Sequence, residues 1–185
     1  PLIQMDTVKG CREQGKRLLT LHFCNTNMML MFLMRDGKAD TVVEQFDMLT
    51  GLLGLEEFRK VFPVILTDNG SEFKHTRDLE TTEDGKKRTK VFYCDPQASW
   101  QKPQIEKNHE FIRYVLPKDK TLNPYTQEDM LLLANNINSI GRESLGNKSP
   151  YEATTDKSIL RLMGLMGLHT VPADEVNLTP ALLKR

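Results

Sequence analysis

The sequence predicts an α/β fold in which helices cover a mixed sheet, and three observations carry this prediction. Three short apolar or alternating segments near the N-terminus are separated by turn-rich connectors, which indicates an antiparallel meander. A helical pattern follows, and then a brief, continuously apolar segment of the kind that forms a buried parallel strand. The order strand, strand, strand, helix, strand therefore implies a mixed sheet with helices packed against it.

Five segments have the length and composition of strands. They are LIQMDTV at 2–8, RLLTLHFCN at 17–25, MMLMFLMR at 28–35, PVILTD at 63–68 and KVFYCD at 90–95. Pro63 opens the fourth segment directly after a helical pattern, which is typical of a buried parallel strand. We expect a five-stranded sheet of three antiparallel strands followed by two parallel ones, with helices on both faces.

Helices are predicted where apolar residues recur at helical spacing. The predicted helical segments are 38–54, 55–62, 99–117, 126–140 and 156–168. Gly54 suits the end of the first, Pro103 suits the opening turn of the third, and the spacing from Thr126 to Asp129 resembles a capping box. We divide the chain into a core at 1–155 and a C-terminal helix and tail at 156–185, packed on the core or on a partner.

Composition sets broad limits on the class of protein. The 185 residues suffice for one well-buried domain, and 25 basic against 25 acidic residues give no global signature of a nucleic-acid binder. The three cysteines are widely separated, which argues against disulfides and structural zinc. No segment has the length of a membrane span or the pattern of a signal peptide, so we expect a cytoplasmic protein. The start at Pro1 suggests an excised domain that has lost an N-terminal part, such as a DNA-binding domain.

The segment TDNGSEF at 67–73 has two interpretations. Asp-Asn-Gly is ordinary turn chemistry and suits a connector between strands. Alternatively, Asp68 ends a buried parallel strand, where open α/β sheets place their ligands. Asp6 lies inside the first predicted strand, where an aspartate is costly to bury without a partner. If these two strands are neighbours, both carboxylates converge, and a divalent cation such as Mg²⁺ or Mn²⁺ removes their repulsion.

A third acid would come from the helical segment PQIEKNHEFIR. It offers Glu106 and Glu110, one turn apart on the same face, and we prefer Glu106. Arg113 shares that face and is placed to hold a phosphate or to orient a carboxylate. Each acid alone is more simply a cap, a turn residue or a solvated charge, and only the three together indicate a site.

Four ordered motifs carry a family resemblance that spans about residues 2–155. QMDTVKG, ILTDNGSEF, YCDPQASWQKPQIEKNHEFIR and NSIGRESLGNKSPYEA occur in the order found in DDE transposase/integrase catalytic cores, the retroviral-integrase-like group. The chain most resembles bacterial insertion-sequence transposases of the insertion sequence thirty branch. Two features depart from that pattern: the interval from Asp68 to Glu106 holds 37 residues, a little more than usual, and KPQI replaces an Arg-Gly-Thr-Asn-like segment before Glu106.

The resemblance implies a ribonuclease-H-like fold and a metal-dependent polynucleotidyl transferase that acts on DNA. Asp6, Asp68 and Glu106 match the catalytic, metal-binding acids of the family, with Glu110 as the fallback, and Arg113 matches its helix-borne basic residue. The implied reaction uses two Mg²⁺ or Mn²⁺ ions to cleave element ends and to join the 3′ hydroxyl to target DNA. The implied partners are transposon-end and target DNA and further copies of the chain, in a bacterium, on its chromosome or plasmids. No membrane and no small-molecule cofactor are expected.

Weaker candidates surround this site. Asn69 would shape the turn after Asp68, and TTEDGKKRTK resembles an extra hairpin whose Lys86, Lys87 and Arg88 either track a DNA backbone or are simply solvated. Trp100 either stacks on a base or packs under the helix that carries Glu106, and we prefer packing.

The histidines show no metal-ligand spacing, and His109 is interpreted as a helix-surface residue.

Two alternatives to a transposase remain open from the sequence. One is a nuclease of the same fold that cleaves DNA without joining it. The other is a non-catalytic DNA-binding or assembly module, against which the presence of all three acids argues.

Overall fold

A computed structural model of the chain describes residues 1–11, 15–95 and 99–183. Five strands form one sheet within these ranges: β1 (Leu2–Lys9), β2 (Arg17–Phe23), β3 (Met29–Met34), β4 (Val64–Thr67) and β5 (Lys90–Tyr93). Their order across the sheet is β3-β2-β1-β4-β5. The pairs β1–β2 and β2–β3 are antiparallel, whereas β1–β4 and β4–β5 are parallel. The predicted mixed sheet is therefore confirmed.

Seven α-helices accompany the sheet in the described residues. They are α1 (Ala39–Leu53), α2 (Leu55–Val61), α3 (Thr76–Glu80), α4 (Pro103–Val115), α5 (Gln127–Asn138), α6 (Pro150–Ala153) and α7 (Lys157–Leu165). The sequence pattern did not predict α3 or α6. Each is a single short turn or little more, so apolar spacing offers no periodic signal. None of the described helices is long and apolar enough to cross a membrane.

Helices cover both faces of the sheet, as expected. Alternate side chains of a strand point to opposite faces, so Ile3 and its β2 partner Phe23 face one way while Gln4 and its partner His22 face the other. On the first face, the Phe23 ring lies 5.7 Å from the Phe62 ring at the end of α2. The second face holds α4 and α5 and is more polar, a difference that matters for the site.

The free edge of β3 is closed by side chains from the two ends of α5. The Asn138 amide accepts from the Met29 nitrogen at 2.9 Å and donates to the Met29 carbonyl at 2.8 Å. Gln127 accepts from the Leu33 nitrogen at 2.7 Å and donates to the Met31 carbonyl at 2.8 Å. An edge strand with unpaired backbone groups would otherwise invite pairing with another chain.

The described part of the tail runs over α4 and α5. A short 3₁₀ helix at Pro180–Leu183 packs against both, and Leu183 is buried. The backbone nitrogen of Asn177 donates to the Asn136 side chain at 2.8 Å. The tail thus anchors the helices on the polar face of the sheet.

Candidate active site

The two aspartates selected from the sequence lie on neighbouring parallel strands. Gln4 of β1 is aligned with Leu66 of β4, and continuing this register by two residues aligns Asp6 with Asp68. Asp68 is the first residue after β4, so its carboxylate stands at the carboxyl end of a parallel strand. The sheet therefore brings the two carboxylates together.

Lys102 joins the two carboxylates. Its ammonium nitrogen lies 3.2 Å from Asp6 Oδ2 and 3.2 Å from Asp68 Oδ2, and it donates to the Met5 carbonyl at 3.3 Å. The residue is only 2% exposed, although it immediately precedes α4. Sequence reasoning missed this lysine, because the residue before a helix usually presents its side chain to water.

The pKa of Asp6 is raised above its ordinary value, and burial is the main cause. The Lys102 charge and the hydrogen bond from the Thr7 backbone nitrogen, 2.7 Å from Asp6 Oδ1, act in the opposite direction and lower this pKa. The Asp68 charge raises it further. Asp6 is thus a carboxylate whose ionised form depends on a nearby cation.

The loop after Asp68 has little room for larger side chains. Asp68 Oδ1 accepts from the Gly70 nitrogen at 2.9 Å, and the Asn69 amide donates to the Cys94 carbonyl at 2.8 Å. A methyl group on Gly70 would lie 2.7 Å from Glu72 Oε2 and 2.9 Å from Asp68 Oδ1. Glycine at this position therefore lets the Asp68 and Glu72 carboxylates approach the same point.

These groups line one shallow cavity at the end of the sheet. Its lining residues are Asp6, Thr7, Lys9, Asp68, Asn69, Gly70, Glu72 and Arg113. Two predicted acids therefore share a cavity with a third carboxylate, Glu72.

Glu106 and Glu110 do not line that cavity. Both are exposed on α4 and line a neighbouring concavity with His109, Arg113 and Tyr114. Within the described ranges, no group of three or more His, Cys, Asp or Glu side chains is arranged to hold a metal ion. The structure brings together the two predicted aspartates but not the predicted glutamate.

A single divalent cation nevertheless fits the aspartate pair. The Asp6 and Asp68 oxygens already converge on one cationic atom, the Lys102 nitrogen, and carboxylate oxygens are the ligands that Mg²⁺ and Mn²⁺ prefer. Asp6 and Asp68 are accordingly the residues that could hold a metal here.

Arg113 lies between the two concavities. It lines both, and its guanidinium donates to the Lys9 carbonyl at 2.9 Å, which ties α4 to the end of β1. Burial lowers the pKa of Arg113. Arg113, which the sequence predicted to share a helix face with Glu106, therefore also borders the aspartate cavity.

Polar contacts dock α4 onto the sheet. The Gln4 side chain accepts from the Ile105 backbone nitrogen at 2.9 Å, at the start of the helix. Further along, the Asn108 amide lies 3.2 Å from His22 Nδ1 and accepts from Arg142 at 3.0 Å. The acid-bearing helix is thus positioned by buried hydrogen bonds rather than by apolar packing alone.

His109, interpreted from the sequence as a helix-surface residue, is half-buried: it borders the concavity beside Glu106, but its ring also contacts the sheet. Its Nε2 lies 2.9 Å from the Thr20 hydroxyl on β2, and burial is the main cause that lowers its pKa to about 4. Burial, aided by the charge of Arg142, also lowers the pKa of His22 to about 4. Both imidazoles are therefore neutral at physiological pH.

The basic segment of the hairpin divides into exposed and buried members. Lys86 and Lys87 are exposed and remain available to a DNA backbone. The structure corrects the assignment of Arg88, which is 1% exposed and donates to Asp47 at 2.6 Å and to the Leu79 and Asp78 carbonyls. Arg88 therefore has a structural role, because its guanidinium makes its hydrogen bonds inside the protein.

The preferred interpretation of Trp100 is also corrected. The side chain is 72% exposed, in a short 3₁₀ helix at Ser99–Gln101, rather than packed under α4. Part of the adjoining motif, residues 96–98, lies outside the described residues. An exposed ring before α4 leaves base stacking as the remaining prediction for Trp100.

This architecture is a ribonuclease-H-like α/β fold: a mixed sheet of order β3-β2-β1-β4-β5 with helices on both faces, and aspartates within β1 and directly after the neighbouring β4. A solved structure shares it: the catalytic core domain of HTLV-2 integrase in complex with magnesium, in a trimeric form. The TM-score is 0.55 with 14% identity, over 83% of this chain and 95% of that one. The predicted fold class is confirmed.

Sequence comparison identifies relatives among bacterial transposases. The chain is 25% identical over 151 residues to the transposase for insertion sequence element IS4351 of Bacteroides fragilis, covering 81% of this chain and 43% of that protein. It is 40% identical over 63 residues to transposase InsI for insertion sequence element IS30A of Escherichia coli strain K12, covering 34% and 16%. No model of a protein family matches the chain.

These findings confirm the predicted resemblance to DDE transposase and integrase catalytic cores. The chain spans less than half the length of each curated relative named above.

Proposed function

We propose that the chain is the catalytic core of a bacterial DNA transposase, which cleaves element ends and joins the freed 3′ hydroxyl to target DNA. The observation that carries this proposal is the convergence of Asp6, within β1, and Asp68, at the end of β4, on adjacent strands of a ribonuclease-H-like sheet. The transposase relatives support the same reaction class.

Asp6 and Asp68 would hold the divalent cations, with Glu106 as the third carboxylate. Two Mg²⁺ or Mn²⁺ ions supply stabilisation of the attacking and the leaving oxygen in phosphodiester transfer. The magnesium recorded with the HTLV-2 integrase core supports this choice of cation. Glu106 must approach the aspartates for this, since in the structure it is exposed on the neighbouring concavity.

Other residues would bind and orient DNA around the scissile phosphate. Arg113 borders both concavities, so its guanidinium is placed to contact a phosphate oxygen. Gly70 leaves space beside Asp68, where a larger side chain would crowd both neighbouring carboxylates. Lys86 and Lys87 would extend the contact along the DNA backbone, and Trp100 would stack on a base.

The proposed partners are transposon-end DNA, target DNA and further copies of the chain. A homo-oligomer is supported by the trimeric form in which the HTLV-2 integrase core was solved. We place the protein in the bacterial cytoplasm, acting on the chromosome or on plasmids, as the bacterial insertion-sequence relatives suggest.

A second candidate is a non-catalytic DNA-binding or assembly module with the same fold. Two observations favour it: Lys102 already pairs with both aspartates, and Glu106 lies outside their cavity. A nuclease that cleaves without joining uses the same residues, and only the products distinguish it from a transposase.

A strand-transfer assay separates these functions. Full-length protein is incubated with a pre-cleaved duplex from the element ends, supercoiled target DNA and Mg²⁺ or Mn²⁺. Joined product supports the transposase, and cleavage alone supports the nuclease. If folded protein shows no metal-dependent reaction, the non-catalytic module is the function that remains.

Asp68→Asn should abolish the reaction, whereas Asp84→Asn, at the exposed hairpin turn, should not.

The third acid is tested by comparing two conservative variants on one helix. Glu106→Gln should abolish joining, and Glu110→Gln should retain it, because the family motif aligns with Glu106. Both side chains are exposed, so neither change should alter the thermal midpoint appreciably. The reverse result would move the assignment to Glu110.

A further inference from the structure

Lys102 is the most fully enclosed cation next to the aspartate pair. Its ammonium has three hydrogens, and three oxygens surround it: Asp6 Oδ2, Asp68 Oδ2 and the Met5 carbonyl, at 3.2, 3.2 and 3.3 Å. With 2% exposure, the side chain has exchanged water for these three acceptors. Burial of an ammonium group costs free energy unless negative charges lie beside it, and the two carboxylates meet this requirement.

The two carboxylates would in turn repel each other without a cation between them. Asp6 lies within β1 and Asp68 follows β4, so the parallel pairing of these strands keeps the two residues adjacent. A cation that offsets this repulsion must lie near the oxygens of both carboxylates, and in the structure the Lys102 nitrogen has that position. Oδ1 of Asp6 accepts from the Thr7 nitrogen and Oδ1 of Asp68 accepts from the Gly70 nitrogen, so the Oδ2 atoms that face Lys102 are also those that would hold a divalent cation.

The ammonium and a divalent cation would compete for these Oδ2 atoms, and their like charges would repel each other at such short range. We propose that Lys102 is an internal counter-ion that holds the aspartates together in the metal-free protein and is displaced from them when a divalent cation binds. This inference rests on the proposed metal-dependent function of the same site.

The position of Lys102 in the chain makes displacement feasible. It directly precedes α4, whose first turn is held independently by the hydrogen bond from the Ile105 nitrogen to Gln4. A lysine has four rotatable side-chain bonds, so its ammonium can move away from the two aspartates while the helix stays docked. Lys102 is therefore a positioning residue that competes with the metal.

The first test measures Mn²⁺ binding by isothermal titration calorimetry in the full chain. Lys102→Met keeps the side-chain length and removes the charge, and Lys107→Met is the matched control, an exposed lysine on α4. We expect Lys102→Met to bind Mn²⁺ about tenfold more tightly than wild type, because the competing charge is gone. Lys107→Met should bind like wild type.

The thermal midpoint gives a second readout. In EDTA, Lys102→Met should melt below wild type because two carboxylates are left without a counter-ion, and Mn²⁺ should raise its midpoint more than that of wild type. If Lys102→Met fails to fold in EDTA, Lys102→Gln, which keeps a donor for the Met5 carbonyl, takes its place.

Chemical labelling tests displacement in the unaltered protein. The Lys102 amine should be nearly unreactive to an acetylating reagent in EDTA and become reactive in Mg²⁺, with Lys107 reactive in both. Mass spectrometry of the peptides reports each lysine separately. Asp68→Asn should remove the dependence on Mg²⁺.

The Mn²⁺-binding results test the inference separately from the proposed function. Equal or weaker Mn²⁺ binding by Lys102→Met, with wild type binding, would overturn the inference and leave the proposed function standing. Tighter binding by the variant without any reaction on DNA would support the inference and count against the proposed function. The absence of Mn²⁺ binding by both folded proteins would overturn both.

Discussion

The Thr7 hydroxyl donates a hydrogen bond of 2.7 Å to the Glu72 carboxylate and so joins β1 to the loop after β4. This bond turns Glu72 toward the cavity that holds Asp6 and Asp68. The same carboxylate lies close to the point where a Gly70 methyl group would stand, and so does Asp68. Glu72 therefore holds the loop through its hydrogen bond with Thr7 and also adds a carboxylate to the lining of the cavity.

Glu72→Gln separates these two roles. The glutamine oxygen still accepts from Thr7, so the loop should keep its conformation while one negative charge leaves the cavity. We expect Mn²⁺ binding to weaken by roughly three- to tenfold, with little change in thermal midpoint. Thr7→Val should do the opposite: it removes the hydrogen bond and lowers the midpoint but keeps the carboxylate.

Calorimetry and thermal melts on the two variants measure these effects, with Glu83→Gln in the exposed hairpin as the control. Unchanged Mn²⁺ binding by Glu72→Gln would restrict Glu72 to holding the loop.

Arg88→Met should destabilise the fold. The Arg88 guanidinium donates to Asp47 and to the Leu79 and Asp78 carbonyls, and it lies 5.5 Å from the Phe46 ring. Removing it leaves buried carbonyl groups without donors, which costs about 2–4 kcal/mol.

Urea denaturation of Arg88→Met measures this loss. Lys87→Met, at the adjacent exposed position, is the matched control and should stay within about 0.5 kcal/mol of wild type. If Arg88→Met kept wild-type stability but lost affinity for DNA, the original interpretation of Arg88 as a DNA contact would be restored.

The sequence predicted the sheet and the aspartate pair because both are encoded locally. Strand composition identified β1 and β4, and an acid inside one and at the end of the other marked the convergence of Asp6 with Asp68. The sequence pattern did not predict helices of one turn, such as α3. Leu79 is the one buried residue in α3, so this helix shows no apolar periodicity.

The features that the sequence did not predict depend on where long side chains point. Lys102 turns inward from the position before α4, and Arg88 turns inward from a basic segment that resembles a solvated hairpin tip. Local composition is the same for an inward and an outward lysine or arginine. Only the packing of distant strands and helices decides between them.

Asn138→Ala should weaken the closed edge of the sheet. Asn138 is fully buried, and its amide satisfies both backbone groups of Met29 at the edge of β3. Without it these groups are buried and unpaired, which costs about 2–3 kcal/mol. Gln127→Ala should cost less, because Gln127 is exposed and water can replace its amide at Leu33 and Met31.

Urea denaturation compares the two variants, and size-exclusion chromatography reports whether an opened edge promotes association. Equal losses from both variants would show that burial does not determine the contribution of each amide.

Acid should destabilise the protein before most carboxylates titrate. In the folded state the pKa of His22 and of His109 is lowered to about 4, mainly by burial, from an ordinary value of 6.5. The unfolded chain therefore takes up protons below about pH 6.5, while the folded chain does not until near pH 4. Stability is fully present above about pH 6.5 and falls as the pH drops toward 4.

The charges that surround the two imidazoles strengthen this effect. Lys102 and Arg113 face His109, and Arg142 faces His22, so protonation of either ring adds a positive charge beside another. The raised pKa of Asp6 acts in the opposite sense, because the folded state binds that proton more readily as the pH falls. With two histidines against one aspartate, we expect a net loss on the order of 2–5 kcal/mol between pH 7 and pH 4.5.

Urea midpoints measured across this range in wild type and in His22→Gln and His109→Gln test the assignment. Each variant should have a lower midpoint at pH 7 and a shallower fall toward pH 4.5, since one proton-binding group of the unfolded chain is gone. The double variant should be shallower still. A wild-type midpoint that stays constant from pH 7 to pH 4.5 would mean that both imidazoles reach water in the folded protein.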